Sequence, residues 1–156
     1  MSRYILDTNV ALAYIRKHEL YTKIETDHKL TDPGNMVIIS VVTQAELLSL
    51  GKQNNWGPKK MKLLRELLRL LIVIGISETD GELINAYANI SAFSQGKLSD
   101  KLVKFTPRNM GKNDLWIAAT AKAADAKLIT TDKDFDHLNS HFIEVIKYPA
   151  MSTFKA

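Results

Sequence analysis

Five short apolar runs punctuate this chain: "RYIL" (Arg3 to Leu6), "MVIIS" (Met36 to Ser40), "IVIGI" (Ile72 to Ile76), "KLIT" (Lys127 to Thr130) and "FIEVI" (Phe142 to Ile146). Each is too short and too continuously apolar for a half-exposed amphipathic strand, which would alternate polar and apolar residues. Such runs read as strands buried on both faces. Between them lie stretches with apolar residues at helical spacing. Val10 to Arg16 carries Ala11, Leu12, Tyr14 and Ile15, and about Thr79 to Gln95 carries Leu83, Ile84, Tyr87, Ala88 and Ile90. Strands alternating with helices predict an α/β domain, with a mainly parallel sheet covered on both sides.

Turn and cap chemistry supports this segmentation. "TDPGN" (Thr31 to Asn35) is a turn before the second strand, and "VVTQAELLSLG" (Val41 to Gly51) reads as a helix with a glycine C-cap. Gly57 and Pro58 open a further helix, basic on one side and leucine-rich on the other. From Asn113, "NDLWIAATAKAADA" is an alanine-rich helix with almost no polar face, hence central.

At 156 residues the chain is expected to form one domain, residues 1–148, with a short tail at 149–156. The absence of cysteine removes disulfides, thiolate metal sites and cysteine nucleophiles, so any metal is held by oxygen or imidazole. No signal peptide and no apolar run of membrane-spanning length is visible, and a soluble cytoplasmic protein is expected. The net charge of +4 is unevenly spread. Lys59, Lys60, Lys62, Arg65 and Arg69 crowd one helix, and Lys97, Lys101, Lys104, Arg108 and Lys112 crowd the connection from Gln95 to Asn113. Such runs are solvated faces by default, and a polyanionic partner is the sharper alternative.

The acids carry the chemistry. Ligands of open parallel sheets bind at the carboxyl ends of the strands. Asp7 in "ILDTN" follows the first strand, and Asp132 follows "KLIT", which puts both at that edge. Glu46 has Val42, Ser49 and Leu50 at i−4, i+3 and i+4, on or beside an apolar side where a carboxylate needs a partner. Asp114 opens the central helix. Singly, three of these acids are helix caps and Glu46 is half of a buried ion pair. Together they suggest convergence. Two like charges about 5 Å apart at an effective dielectric near 20 repel by roughly 3 kcal/mol, so an ionised cluster needs protons or a divalent cation. Hard oxygen ligands without sulfur favour Mg2+ or Mn2+.

"ILDTN", "TQAEL", "NDLWIAATA" and "LITTDKDF", in this order and setting, resemble the four acidic motifs of the PIN domain, particularly VapC-type toxins of toxin–antitoxin pairs. The resemblance covers Arg3 to about Val145. It implies a three-layer α/β/α PIN-like fold with about five strands. It also implies that Asp7, Glu46, Asp114 and Asp132 bind one or two divalent ions and catalyse RNA hydrolysis by a metal-activated water. Thr8, Asn9 and Asn113 match auxiliary polar positions, and Thr130 and Thr131 both match small polar positions before the fourth acid. A cognate antitoxin and a homodimer are implied by the family alone. Asp134 and Asp136 either assist or substitute for Asp132 or, as the preferred reading, cap or solvate the short following helix.

The long basic connection is a departure from compact members of the family. Lys101, Lys104, Arg108 and Lys112 are expected to hold RNA phosphates beside the metal site, against the alternative of a solvated loop. Two other functions compete with the nuclease: a PIN-like domain that binds RNA or a partner without cutting, and a haloacid-dehalogenase-like phosphatase. The latter resembles D-x-D after its first strand, where this chain has Asn9. His137 and His141 read as an exposed turn, Trp116 as core, and Trp56 as a residue at a loop or partner surface.

Overall fold

Alternate side chains of the central strands enter two different cores. Ile5, Ile38 and Leu128 join one apolar cluster, while Tyr4, Leu6, Ile39 and Ile129 join another. That period of two is what a strand covered on both faces requires. The computed structural model describes residues 1–101 and 105–153. Its strands are β1 (Ser2–Leu6), β2 (Asn35–Ser40), β3 (Ile72–Ile74), β4 (Lys127–Thr130) and β5 (Val145–Lys147). They form one parallel sheet in the order β3-β2-β1-β4-β5.

Six α-helices occur among the described residues: α1 (Thr8–Arg16), α2 (Glu19–His28), α3 (Val41–Gln53), α4 (Pro58–Leu70), α5 (Gly81–Ser94) and α6 (Lys112–Ala123). Short 3-10 helices span Lys133–Leu138 and Met151–Thr153. On one face α1, α2 and α4 bury Val10, Ile15, Leu20, Ile24 and Leu64. On the other, α5 and α6 bury Ile90, Phe93, Leu115, Ile117 and Ala118, with Phe135 and Leu138 of the first 3-10 helix. The result is the expected three-layer α/β/α architecture. No described helix is long and apolar enough to cross a membrane.

Two expectations give way to tertiary packing. The helix read as ending at Gly51 continues to Gln53, with Asn54 as its C-cap. Gly51 is a packing glycine instead: a Cβ there would lie 3.0 Å from Met61 Sδ and 3.3 Å from the Trp56 ring. The last strand begins at Val145, three residues later than the apolar run suggests, because Phe142 and Ile143 pack into the second core before the chain reaches the sheet.

The strand order positions the site. The chain starts at the centre, builds β2 and β3 on one side of β1, then returns to lay down β4 and β5 on the other. Direction therefore reverses between β1 and β4, and a crevice opens at their carboxyl ends. Asp7 follows β1 directly, and Asp132 lies two residues beyond β4.

Candidate metal centre

Asp7 ends β1 and is the N-cap of α1, its carboxylate accepting from Thr8 N at 2.7 Å. The cap reading is correct as local structure, but it accounts for only one oxygen. The other accepts from Thr130 Oγ1 at 2.7 Å, and that hydroxyl in turn accepts from Asp132 N at 2.9 Å. Thr130 is fully buried and Asp7 is only 5% exposed. Burial pushes the Asp7 carboxyl above its ordinary range, opposed by these two donors.

Glu46 reaches the same crevice from the second turn of α3 and accepts from Thr8 Oγ1 at 3.1 Å, with Thr43 Oγ1 3.3 Å from that hydroxyl. The ion pairs of the described residues lie elsewhere, joining Lys23 to Asp27, Lys62 to Glu66, Lys127 to Glu144 and Lys147 to Asp136. Glu46 therefore has no lysine or arginine partner among the described residues, and threonine takes that place.

Asp114 stands in the first turn of α6, whose N-cap is Gly111 rather than Asp114 itself. Asp132 caps the first 3-10 helix, accepting from Asp134 N at 2.9 Å. One oxygen each from Asp114, Asp132 and Asp134 lie within 4.8 Å of one another. The Asp114 carboxyl is raised to about 7, first by burial and then by the like charges of Asp7, Asp132, Asp134 and Glu46. All four acids singled out in the sequence thus act on one another, and Asp134 joins them. Asp136, by contrast, pairs with Lys147 at 2.9 Å. The helix-start signals that make Asp134 look like a cap residue are real, but a 3-10 turn after Asp132 also swings its side chain beside Asp114.

This donor set suits a hard divalent cation: several carboxylate oxygens, no sulfur or imidazole, and no ion pair to a basic side chain among the described residues. The sequence pattern of the PIN domain matches residues 4–140. The chain belongs to the PIN domain family. This PIN domain is 31% identical over 140 residues to "Ribonuclease VapC1" of Haemophilus influenzae (strain R2866), covering 86% of this chain and 91% of that protein. Its fold is similar to a chain of VapBC2 from Rickettsia felis bound to a DNA fragment from their promoter, with TM-score 0.68 and 23% identity over 93% of this chain and 98% of that one. It also resembles VapBC-1 from nontypeable Haemophilus influenzae, with TM-score 0.67 and 24% identity over 93% of this chain and 97% of that one. The phosphatase reading falls with the family assignment.

The auxiliary positions divide. Thr8 holds Glu46, whereas Asn9 and Asn113 are exposed and make no side-chain hydrogen bond among the described residues. Of the two threonines before Asp132, it is Thr130 whose hydroxyl reaches the carboxylates, and Thr131 makes no such bond. Strand parity is the signal for this: Thr130 is the last residue of β4 and is fully buried.

The basic connection of this PIN domain also divides. Lys101 Nζ donates to His141 O at 2.7 Å and lies 4.6 Å from the centre of the Phe142 ring, on the segment leading into the amino end of β5. The expectation that it stands beside the acids is corrected: a carbonyl and an aromatic face hold it at the other end of the strands. Lys104 lies outside the described residues. Arg108 donates to Lys133 O at 3.0 Å, next to Asp132, and Lys112 is exposed in the first turn of α6.

His137 is not in an exposed turn. It is half-buried, its Nε2 lies 2.7 Å from Ser94 Oγ, and its ring stacks near Phe93. Burial holds its pKa below the usual value. Trp116 packs on Tyr87 between α5 and α6, and Trp56 lies against Gly51 with Lys60 Nζ 4.2 Å from its ring centre.

Proposed function

We propose that this PIN domain is a metal-dependent endoribonuclease, the toxin of a toxin–antitoxin pair, with Asp7, Glu46, Asp114 and Asp132 as its catalytic and metal-holding residues and Asp134 assisting. One observation carries the reading: five carboxylates share the crevice between β1 and β4, and no basic side chain of the described residues pairs with the four at its centre. Such a group is stable at neutral pH only with retained protons or a bound cation. The similarity to a protein named a ribonuclease supports RNA as the substrate. VapBC-5 from Mycobacterium tuberculosis, whose fold is also similar, is described as a member of the VapBC family of toxin–antitoxin systems, which supports an antitoxin partner. A homodimer follows from the family resemblance, and Mg2+ or Mn2+ from the all-oxygen donor set.

A divalent cation in such a site lowers the pKa of water and neutralises charge on the scissile phosphate and leaving oxygen. The chain's own residues prepare that chemistry. Thr130 and the Thr8 N–H fix both oxygens of Asp7, and the Thr8 hydroxyl orients Glu46. Asp114, whose carboxyl is raised to about 7 by burial and neighbouring acids, would help hold the cation in its deprotonated form. Arg108 and Lys112 offer the positive charge that draws a phosphate toward an otherwise acidic edge.

The test is purified protein with total RNA in Mg2+, in Mn2+ and in EDTA, beside Asp7→Asn and Asp114→Asn. Cleavage that needs the metal and drops at least a hundredfold in both variants is expected. Metal-independent cleavage, or full activity in both variants, overturns the mechanism. RNA binding without cleavage by the wild-type chain supports the non-catalytic alternative instead.

A further inference from the structure

Beside the carboxylates, on the outer side of Asp134, opens a cleft of about 380 Å3 lined by Arg108, Asn109, Met110, Lys133 and Asp134. We propose that this cleft seats one nucleotide of single-stranded RNA flanking the scissile phosphate, with Arg108 and Lys133 on its phosphate and the Asn109 amide on its base or sugar. The inference rests on the nuclease reading of the adjacent acids and adds Asn109 and Lys133, which motif reasoning did not single out.

Four observations carry it. The cleft shares Asp134 with the acidic cluster, so a chain lying in it continues directly over those carboxylates. Its size is at the lower end of small-ligand sites, which matches a single nucleotide. Its walls carry donors with no internal use: among the described residues the Lys133 ammonium makes no ion pair or hydrogen bond, and the Asn109 side chain is engaged only through its oxygen, which accepts from Gln95 Nε2 at 3.2 Å. The Asn109 NH2 group is left to donate outward. Finally, the walls are set in advance. Arg108 N donates to Ser94 O at 2.7 Å, Gln95 Nε2 donates to Arg108 O at 3.1 Å, and the Arg108 guanidinium holds Lys133 O at 3.0 Å. Among the described residues only one arm of the guanidinium is engaged, which leaves its remaining N–H groups for a ligand on a side chain already held in place.

The charge arrangement explains why such a seat is needed. The acids repel each RNA phosphate that approaches, and Lys101 is held at the other end of the strands. A phosphate clamped by Arg108 and Lys133 offsets that repulsion one nucleotide away from the reacting bond.

The clean variants are Asn109→Ala and Lys133→Ala, which remove no contact to the carboxylates, whereas Arg108→Ala also frees Lys133 O. A fluorescently labelled single-stranded RNA 12-mer is titrated by anisotropy onto Asp7→Asn protein in Mg2+, with and without the two changes, and Mn2+ binding is followed by calorimetry. The expected result is at least a tenfold weaker RNA Kd for the double change, a salt slope smaller by about one, and unchanged Mn2+ affinity. In otherwise wild-type protein, KM for the 12-mer rises with kcat held within threefold. Unchanged Kd and slope overturn the proposal, as does equal binding of duplex RNA or a matching loss of Mn2+ affinity. If the wild-type chain fails to cut RNA yet binds it through this cleft, the nuclease reading falls and the cleft stands. If metal-dependent cleavage persists with KM unmoved by the two changes, the cleft alone falls.

Discussion

The Thr130 hydroxyl donates to Asp7 Oδ2 at 2.7 Å, joining the ends of two neighbouring strands that lie 123 positions apart in the chain. Thr130 Oγ1 also accepts from Asp132 N, so one hydroxyl orders both the buried acid of β1 and the turn that presents Asp132 and Asp134. Replacing Thr130 with Val keeps the shape and removes that donor. A buried carboxylate left short of a partner costs about 1–3 kcal/mol. Thr130→Val is expected to lower stability by that amount in urea titrations, raise the Asp7 pKa further and weaken Mn2+ binding, while Thr130→Ser retains all three.

Asp114 makes stability depend on pH in a defined direction. Its folded-state carboxyl sits near 7, above the 3.8 of an unperturbed aspartate, so between those values the folded state holds more protons than the unfolded one. Metal-free stability therefore falls as pH rises from about 4 to about 7, and the contribution is fully present only below the unfolded value. Melting temperatures across that range should decline for the wild type and decline less for Asp114→Asn. An equal slope in both would remove Asp114 as the cause.

Metal binding should reverse that loss. A cation that binds only the folded state adds about 2.7 kcal/mol at a hundredfold excess over Kd. Mn2+ is expected to raise the melting temperature more at pH 7.5 than at pH 5.5, with proton release detectable in unbuffered titration. EDTA should abolish the rise.

Asp134 tests how far the site extends beyond the four acids. Its exposed side chain makes no ion pair among the described residues, so Asp134→Asn should leave stability within about 0.5 kcal/mol. Mn2+ affinity should fall severalfold, and the Asp114 carboxyl should move down as a like charge is removed. Asp136→Asn, which loses only the Lys147 pair, provides the control without an effect on Mn2+.

Phe135 carries the 3-10 helix into the core with no exposed surface. Phe135→Ala should cost about 3–5 kcal/mol in global stability. The unfolding midpoint in urea reads it, and a smaller loss would mean that the Asp132 to Leu138 segment is fixed mainly by its hydrogen bonds.

By itself the sequence determined what local chemistry can encode. Short apolar runs between helical stretches dictated a parallel α/β sheet, because only strands buried on both faces lack a polar side. The order of Asp7, Glu46, Asp114 and Asp132 around strand ends marked the acidic edge. It did not announce α2, where only Leu20 and Ile24 are buried and the apolar stripe is too thin to stand out. Other assignments needed contacts between residues far apart in the chain. Thr130 rather than Thr131 serves Asp7 because strand parity and the pairing of β1 with β4 aim its hydroxyl there. Gly51 lies inside α3, where a Cβ would crowd Met61 and Trp56, rather than at a helix end. Lys101 is drawn away by a carbonyl and a ring, and Asp134 is drawn in by a turn that begins at Asp132. Patterning sets which faces are buried; which polar atoms then meet is decided by register and crossing geometry, and those exist only once the layers have packed.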